Sequence, residues 1–141
     1  MERYLPQLDI VKRKLLKALS HLEYSYQKIL KLPEDVEKLD EESLETWESF
    51  SARFGRVADI FLSKYLRLTI LLDDPGFTGT LRDFVNQAEK LKMIEDANIW
   101  MAIRELRNIS SHDYSESDLS AFFRQLKKEC PKLLTITALL K

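Results

Sequence analysis

One stretch of this 141-residue chain gathers side chains that do chemistry: Arg104-Glu105-Leu106-Arg107-Asn108-Ile109-Ser110-Ser111-His112-Asp113-Tyr114. Histidine exchanges a proton near neutral pH. Arginine offers a planar fork of donors that fits a phosphate, and asparagine can orient either group. Together they make a metal-independent kit for a phosphodiester. The histidine handles a proton while the arginine stabilises charge on the phosphorus oxygens. The reaction that suits this kit is attack of an RNA 2′-OH on its own phosphate. Metal chemistry fits less well, because no second histidine or carboxylate pair stands at ligand spacing. On a helix, Arg104, Asn108 and His112 fall at i, i+4 and i+8 and share a face. Arg107 and His112 are five residues apart, about 140° around a helix of 3.6 residues per turn. They converge if the helix frays between them and the long arginine side chain bends back. Ser110, Ser111, His112 and Asp113 are poor helix formers, so the helix is expected to fray there.

The elements that carry this cluster are helical. Apolar residues at Val11, Leu15, Ala18, Leu22, Tyr26 and Ile29 recur in steps of three and four, one stripe of an amphipathic helix. Leu32-Pro33 stops it, since proline disfavours helix at the residue before it. A second stripe, Trp47, Phe50, Phe54, Val57, Phe61, Tyr65, Leu68 and Leu72, predicts one long aromatic helix over roughly 43–72. Asp73-Asp74-Pro75-Gly76 ends it with turn chemistry. Thr80 is a candidate N-cap for a third helical region, which carries Leu81, Phe84, Val85, Ala88 and Leu91. That region bends at Lys92-Met93-Ile94 and continues through Ala97, Trp100, Ile103 and Leu106. Ser115, with Asp118 three residues on, resembles a capping box and opens the last helix. Its stripe is Leu119, Phe122, Leu126, Cys130, Leu133 and Leu140, with a kink or split expected near Pro131. No stretch alternates with period two and no repeat is visible. The expectation is an all-α, antiparallel four-helix bundle formed by a single domain over 1–141.

Composition narrows the class. Three glycines and four prolines are too few for a sandwich of many turns, and 45% hydrophobic residues exclude a disordered chain. One cysteine, Cys130, rules out an internal disulfide and suits a reducing cytosol. The N-terminal residues lack an apolar run with a cleavage site, and no run approaches the ~20 apolar residues of a membrane span. A soluble cytoplasmic protein is expected, with no membrane association. The net charge of −1 excludes a globally basic nucleic-acid binder but not a local basic cleft. Charge is segregated: +4 over 1–31, −7 over 32–49 and +3 over 50–72. The acidic run reads as a solvated helix start or as a docking patch for a basic partner. The surroundings of the cluster are nearly neutral, with five basic and four acidic residues over 101–128. RNA affinity would therefore need the twin sites of a dimer or the arginines Arg53, Arg56 and Arg67. His21 reads as an ordinary helix-surface histidine.

The stretch from Arg107 to Tyr114 fits R-x4-H-x-Y with asparagine after the arginine. It resembles the HEPN superfamily, in particular HepT-like toxins and the substrate-binding subunits of nucleotidyltransferases. With nine arginines, two histidines and five tyrosines, chance would place this pattern about 0.005 times in such a chain. The length, the helical layout and the motif's position all fit, so the resemblance covers most of the chain. It implies a homodimer in which both R-x4-H elements meet in one cleft, acting on RNA without metal or other cofactor. It implies a catalytic pair of Arg107 and His112, supported by Asn108. It also implies a cognate minimal nucleotidyltransferase that adenylylates Tyr114, placing a bulky anion beside the phosphate site.

Three readings stay open. The first is the endoribonuclease toxin of a toxin–antitoxin pair. The second is a non-catalytic subunit that presents a substrate to a nucleotidyltransferase. The third is a helical scaffold whose His112 and Asn108 cap a helix while Arg107 pairs with Asp113 or Glu105.

Overall fold

The computed structural model describes residues 5–109 and 115–140. Among them the chain is all helical, with no strand, and its helices pack as a bundle. The first helix, α1 (Leu5–Ile29), buries Val11, Leu15, Ala18, Leu22 and Ile29, the stripe expected of it, with Tyr26 half-buried. It lies mainly against α2 (Glu41–Asp59). The connection between them passes through a 3-10 turn, Val36–Lys38, and is pinned to the bundle by hydrogen bonds. Trp47 Nε1 donates to the Pro33 carbonyl at 3.0 Å, and the Val36 amide donates to Ser120 Oγ at 2.9 Å.

Asp40 caps α2 by accepting from the Ser43 amide at 2.7 Å, and these hydrogen bonds hold its carboxyl below the ordinary aspartate range. Along α2, Trp47, Phe50, Phe54 and Val57 are wholly buried. Trp47 stacks on Phe123 with ring centroids 4.7 Å apart, and Phe50 meets both Trp47 and Phe54 edge-on. Aromatic pairs in such arrangements add about 0.5–1.5 kcal/mol beyond the area they bury.

The long helix expected over 43–72 runs as one helical path, but its winding changes midway. Residues Ile60–Tyr65 form a π-helical turn, followed by α3 (Leu66–Asp73). The Leu66 amide reaches back to the Phe61 carbonyl, five residues away. The wider turn rotates the buried face. Leu66 and Ile70 fill the core where a uniform helix would have used Leu68 and Leu72, which are half-buried.

Thr80 is the N-cap of α4 (Leu81–Lys90), in a reciprocal capping box with Asp83. The helix ends in a Schellman motif: Met93 N donates to Ala88 O at 2.9 Å and Lys92 N to Glu89 O at 3.0 Å. Lys92 takes the left-handed conformation this requires, at φ 61°. This is the bend expected at Lys92-Met93-Ile94. Glu89 then accepts from the Ala97 amide at 2.6 Å, capping α5 (Ala97–Ile109) across the bend.

Ser115 caps α6 (Glu116–Leu134) through the Asp118 amide, at 3.3 Å. Pro131 neither ends nor splits α6 at its own position. The helix continues to Leu134, and the split falls at Thr135, before α7 (Ile136–Leu139). The Thr135 hydroxyl donates to the Lys132 carbonyl at 2.6 Å, a local bond that competes with continued winding. Cys130 is buried, and desolvation pushes its thiol pKa up.

Two substitutions should move stability in opposite directions. Trp47→Ala empties the stacked core and should cost about 3–5 kcal/mol in chemical denaturation. Lys92→Gly relieves a left-handed lysine, a conformation costing roughly 1–2 kcal/mol, and should raise the melting temperature.

Candidate functional site

Arg107 stands on the last turn of α5, where that helix crosses the end of α2. Its Nε donates to Asp59 Oδ2 at 2.8 Å. That partner lies 48 residues away in sequence, on α2. Gly55 leaves room for this approach. A Cβ added there would lie 3.2 Å from Arg107 Cγ, closer than ordinary contact. Glycine inside a helix costs about 1 kcal/mol relative to alanine. At this position it lets the arginine stem lie flat on α2.

The junction forms an open cleft of about 680 Å3. Ala52 and Gly55 line it along α2, and Ser63 and Lys64 border it from the π-helical turn. Arg56, Lys64 and Arg107 bring three cations to it, and Asp59 one carboxylate. The side chains of Asp59 and Arg107 are about half exposed, so solvent screens the pair. Its role is geometric: it fixes the direction of the guanidinium, using the Nε donor. A fixed guanidinium beside two further cations and a serine hydroxyl suits a phosphate.

The other residues of the sequence cluster are placed as follows. Arg104 is half-buried, one turn before Arg107 on α5. Asn108 follows Arg107 in the backbone of the same turn. His112 and Tyr114 lie outside the described residues, between the end of α5 and the Ser115 cap of α6.

The three arginines named as a source of RNA affinity divide. Arg56 lines the cleft. Arg53 turns to α1, donating to the His21 carbonyl at 3.1 Å and to Ser25 Oγ at 2.7 Å. Arg67 lies over the Phe84 ring at 4.7 Å. His21 is an exposed helix-surface residue, as expected.

Asp59 and Gly55 are the site residues that the sequence reading missed. The signal for Asp59 was its position as the one acid among four basic residues over 50–72. Nothing local marks Gly55 as facing an arginine. No helix among the described residues is long and apolar enough to cross a membrane.

Because the pair is solvent-screened, Asp59→Ala should change the unfolding free energy by less than about 1 kcal/mol. A loss of several kcal/mol in urea titration would mean that Asp59 holds the bundle together rather than aiming Arg107.

No family model matches the chain, and no solved structure matches it. Over 54 residues it is 35% identical to a protein of Haemophilus influenzae described as a probable ribonuclease HepT. The match spans 38% of this chain and 36% of that relative's length. The chain is therefore similar, over about a third of its length, to a protein described as a probable HepT ribonuclease.

Proposed function

We propose that this chain is a metal-independent endoribonuclease of the HEPN type, the toxin of a toxin–antitoxin pair. The observation that carries the reading is Arg107, aimed by Asp59 and Gly55 into a cation-lined cleft and followed in sequence by Asn108 and His112. The partial similarity to a HepT ribonuclease supports it.

In this reading His112 takes the proton of an RNA 2′-OH. The 2′-oxygen attacks its own phosphorus, a new P–O2′ bond forms and the P–O5′ bond breaks. The departing 5′-oxygen takes up a proton from water. Arg107 stabilises the charge on the non-bridging oxygens, where a preorganised donor acts most strongly. Asn108 orients the pair. Two copies associate so that their clefts adjoin, which doubles the cations facing one strand. A cognate minimal nucleotidyltransferase controls the enzyme by transferring AMP from ATP to the Tyr114 hydroxyl: the phenolic oxygen bonds the α-phosphorus, the α–β phosphoanhydride bond breaks, and pyrophosphate and the phenolic proton leave. The added phosphate pairs with Arg107 or Arg104 and occupies the position of the RNA phosphate.

Cleavage of RNA by the purified chain should survive a chelator. It should fall ~10²–10⁴-fold in His112→Ala, the usual effect of losing a proton-transfer group. Arg107→Lys should also fail, since lysine keeps the charge and loses the planar fork. Cleavage that vanishes with chelator, or persists in His112→Ala, would refute the mechanism. Absence of cleavage, with stable binding to a nucleotidyltransferase, would favour the non-catalytic substrate-binding subunit.

Control through Tyr114 has its own readout. Incubation with the partner and ATP should raise the intact mass of the wild type by whole AMP units and leave Tyr114→Phe unchanged. Equal modification of both chains would rule Tyr114 out.

A further inference from the structure

The outward face of α1 carries a second cationic feature that the cleft does not use. Between Ile10 and Lys31 the sequence holds six basic residues and one acid, Glu23. Lys17, Tyr24 and Lys28 fall on one exposed stripe of the helix, and Lys31 is exposed just beyond its end. Of the two tyrosines on this helix Tyr26 is half-buried, whereas Tyr24 has 63% of its surface exposed. A tyrosine so open gains little from burial, and its ring is presented to whatever approaches α1.

Two cations flank the ring. Lys28 Nζ lies 5.5 Å from its centroid and Arg53 Cζ 6.0 Å. Arg53 is held in place by its bonds to the His21 carbonyl and to Ser25, itself buried. The guanidinium is thus a fixed part of the surface. Arg53 and Arg56 are three residues apart on α2, so they are neighbours on that helix. Arg56 lines the Arg107 cleft. From Arg53 to Asp59 the helix rises only about 9 Å, at 1.5 Å per residue. Cations therefore continue from Lys28 through Arg53 and Arg56 to Arg107, with an exposed ring at the far end.

We propose that Tyr24, flanked by Lys28 and Arg53, is a stacking platform for a base of single-stranded RNA whose backbone follows α2 into the Arg107 cleft. A ring that stacks on any base, beside cations that track the phosphates, is how single strands are held without sequence preference. A duplex hides the base faces that such a platform needs. The occupant is RNA because the assignment rests on the endoribonuclease reading of the cleft. The positive face and the open ring argue for a nucleic-acid strand over a protein surface.

The test uses the full chain carrying His112→Ala, so that the probe stays intact, and a fluorescein-labelled, mixed-sequence single-stranded oligoribonucleotide. In anisotropy titrations Tyr24→Ala should weaken binding about 5- to 150-fold, the effect of one lost base–aromatic stack. Tyr24→Phe should bind as tightly as the parent. Tyr24→Trp adds an indole to the platform, and the emission this variant gains over the parent should be quenched as the unlabelled oligonucleotide saturates it. Equal affinity of Tyr24→Ala and the parent, or no quenching of that added emission at saturation, would overturn the platform. So would a Tyr24→Ala chain that binds RNA normally but no longer captures a nucleotidyltransferase, since the face would then belong to a protein partner. The two proposals fail separately. Tyr24-dependent binding of RNA that the wild type leaves intact removes the nuclease reading and keeps the platform. Cleavage with no Tyr24 dependence does the reverse.

Discussion

Trp47 and Phe123 lie face to face at 4.7 Å, and much of the bundle is arranged around that contact. It joins the second helix to the sixth, and the Trp47 indole also holds the Pro33 carbonyl of the connection from the first. Phe50, Phe54 and Phe61 extend the same buried seam along α2 and into the turn beyond it. Each such side chain contributes about 1.5–3 kcal/mol by leaving water. The cleft needs this rigidity. Arg107 is aimed by contacts with α2, so the position of its guanidinium is only as well defined as the packing of α2 against α5 and α6.

Much of this architecture is legible in the residue order, for a physical reason. Amphipathic periodicity and capping are local. The stripe of α1, the Thr80 cap, the bend at Lys92 and the Ser115 cap all follow from residues a few positions apart. The π-helical turn is not legible. The stripe Phe61, Tyr65, Leu68, Leu72 suits a uniform helix, and the pattern Phe61, Leu62, Leu66, Ile70 is equally apolar. Tertiary packing chooses between them. The break in the last helix is legible to within about a turn: it is expected near Pro131 and falls at Thr135, whose hydroxyl donates to the Lys132 carbonyl.

The candidate site divides along the same line. Arg107, Asn108, His112 and Tyr114 stand within eight residues, so their spacing is visible as a motif. Asp59 and Gly55 reach Arg107 only through the crossing of α2 and α5. Asp59 stands out only as the one acid in a basic stretch, and nothing local marks Gly55. The arginines of α2 show the same limit. Arg53 and Arg56 are a turn apart and of one type, yet one grips α1 and the other lines the cleft.

The π-helical turn at Ile60–Tyr65 also has a bearing on the descent of the chain. Such a turn holds one residue more than the α-helical winding on either side of it. It is the form a helix takes when a codon is inserted and both flanks keep their packing. Related chains need not share the extra residue, and those without it will align with this one only across a one-residue gap. The gap belongs between the segment ending at Asp59 and the one starting at Leu66, beside Ser63 and Lys64 of the cleft. An alignment that closes the gap after α3 would set the core residues of α3 one position out of step and pair buried Leu66 with the counterpart of exposed Arg67.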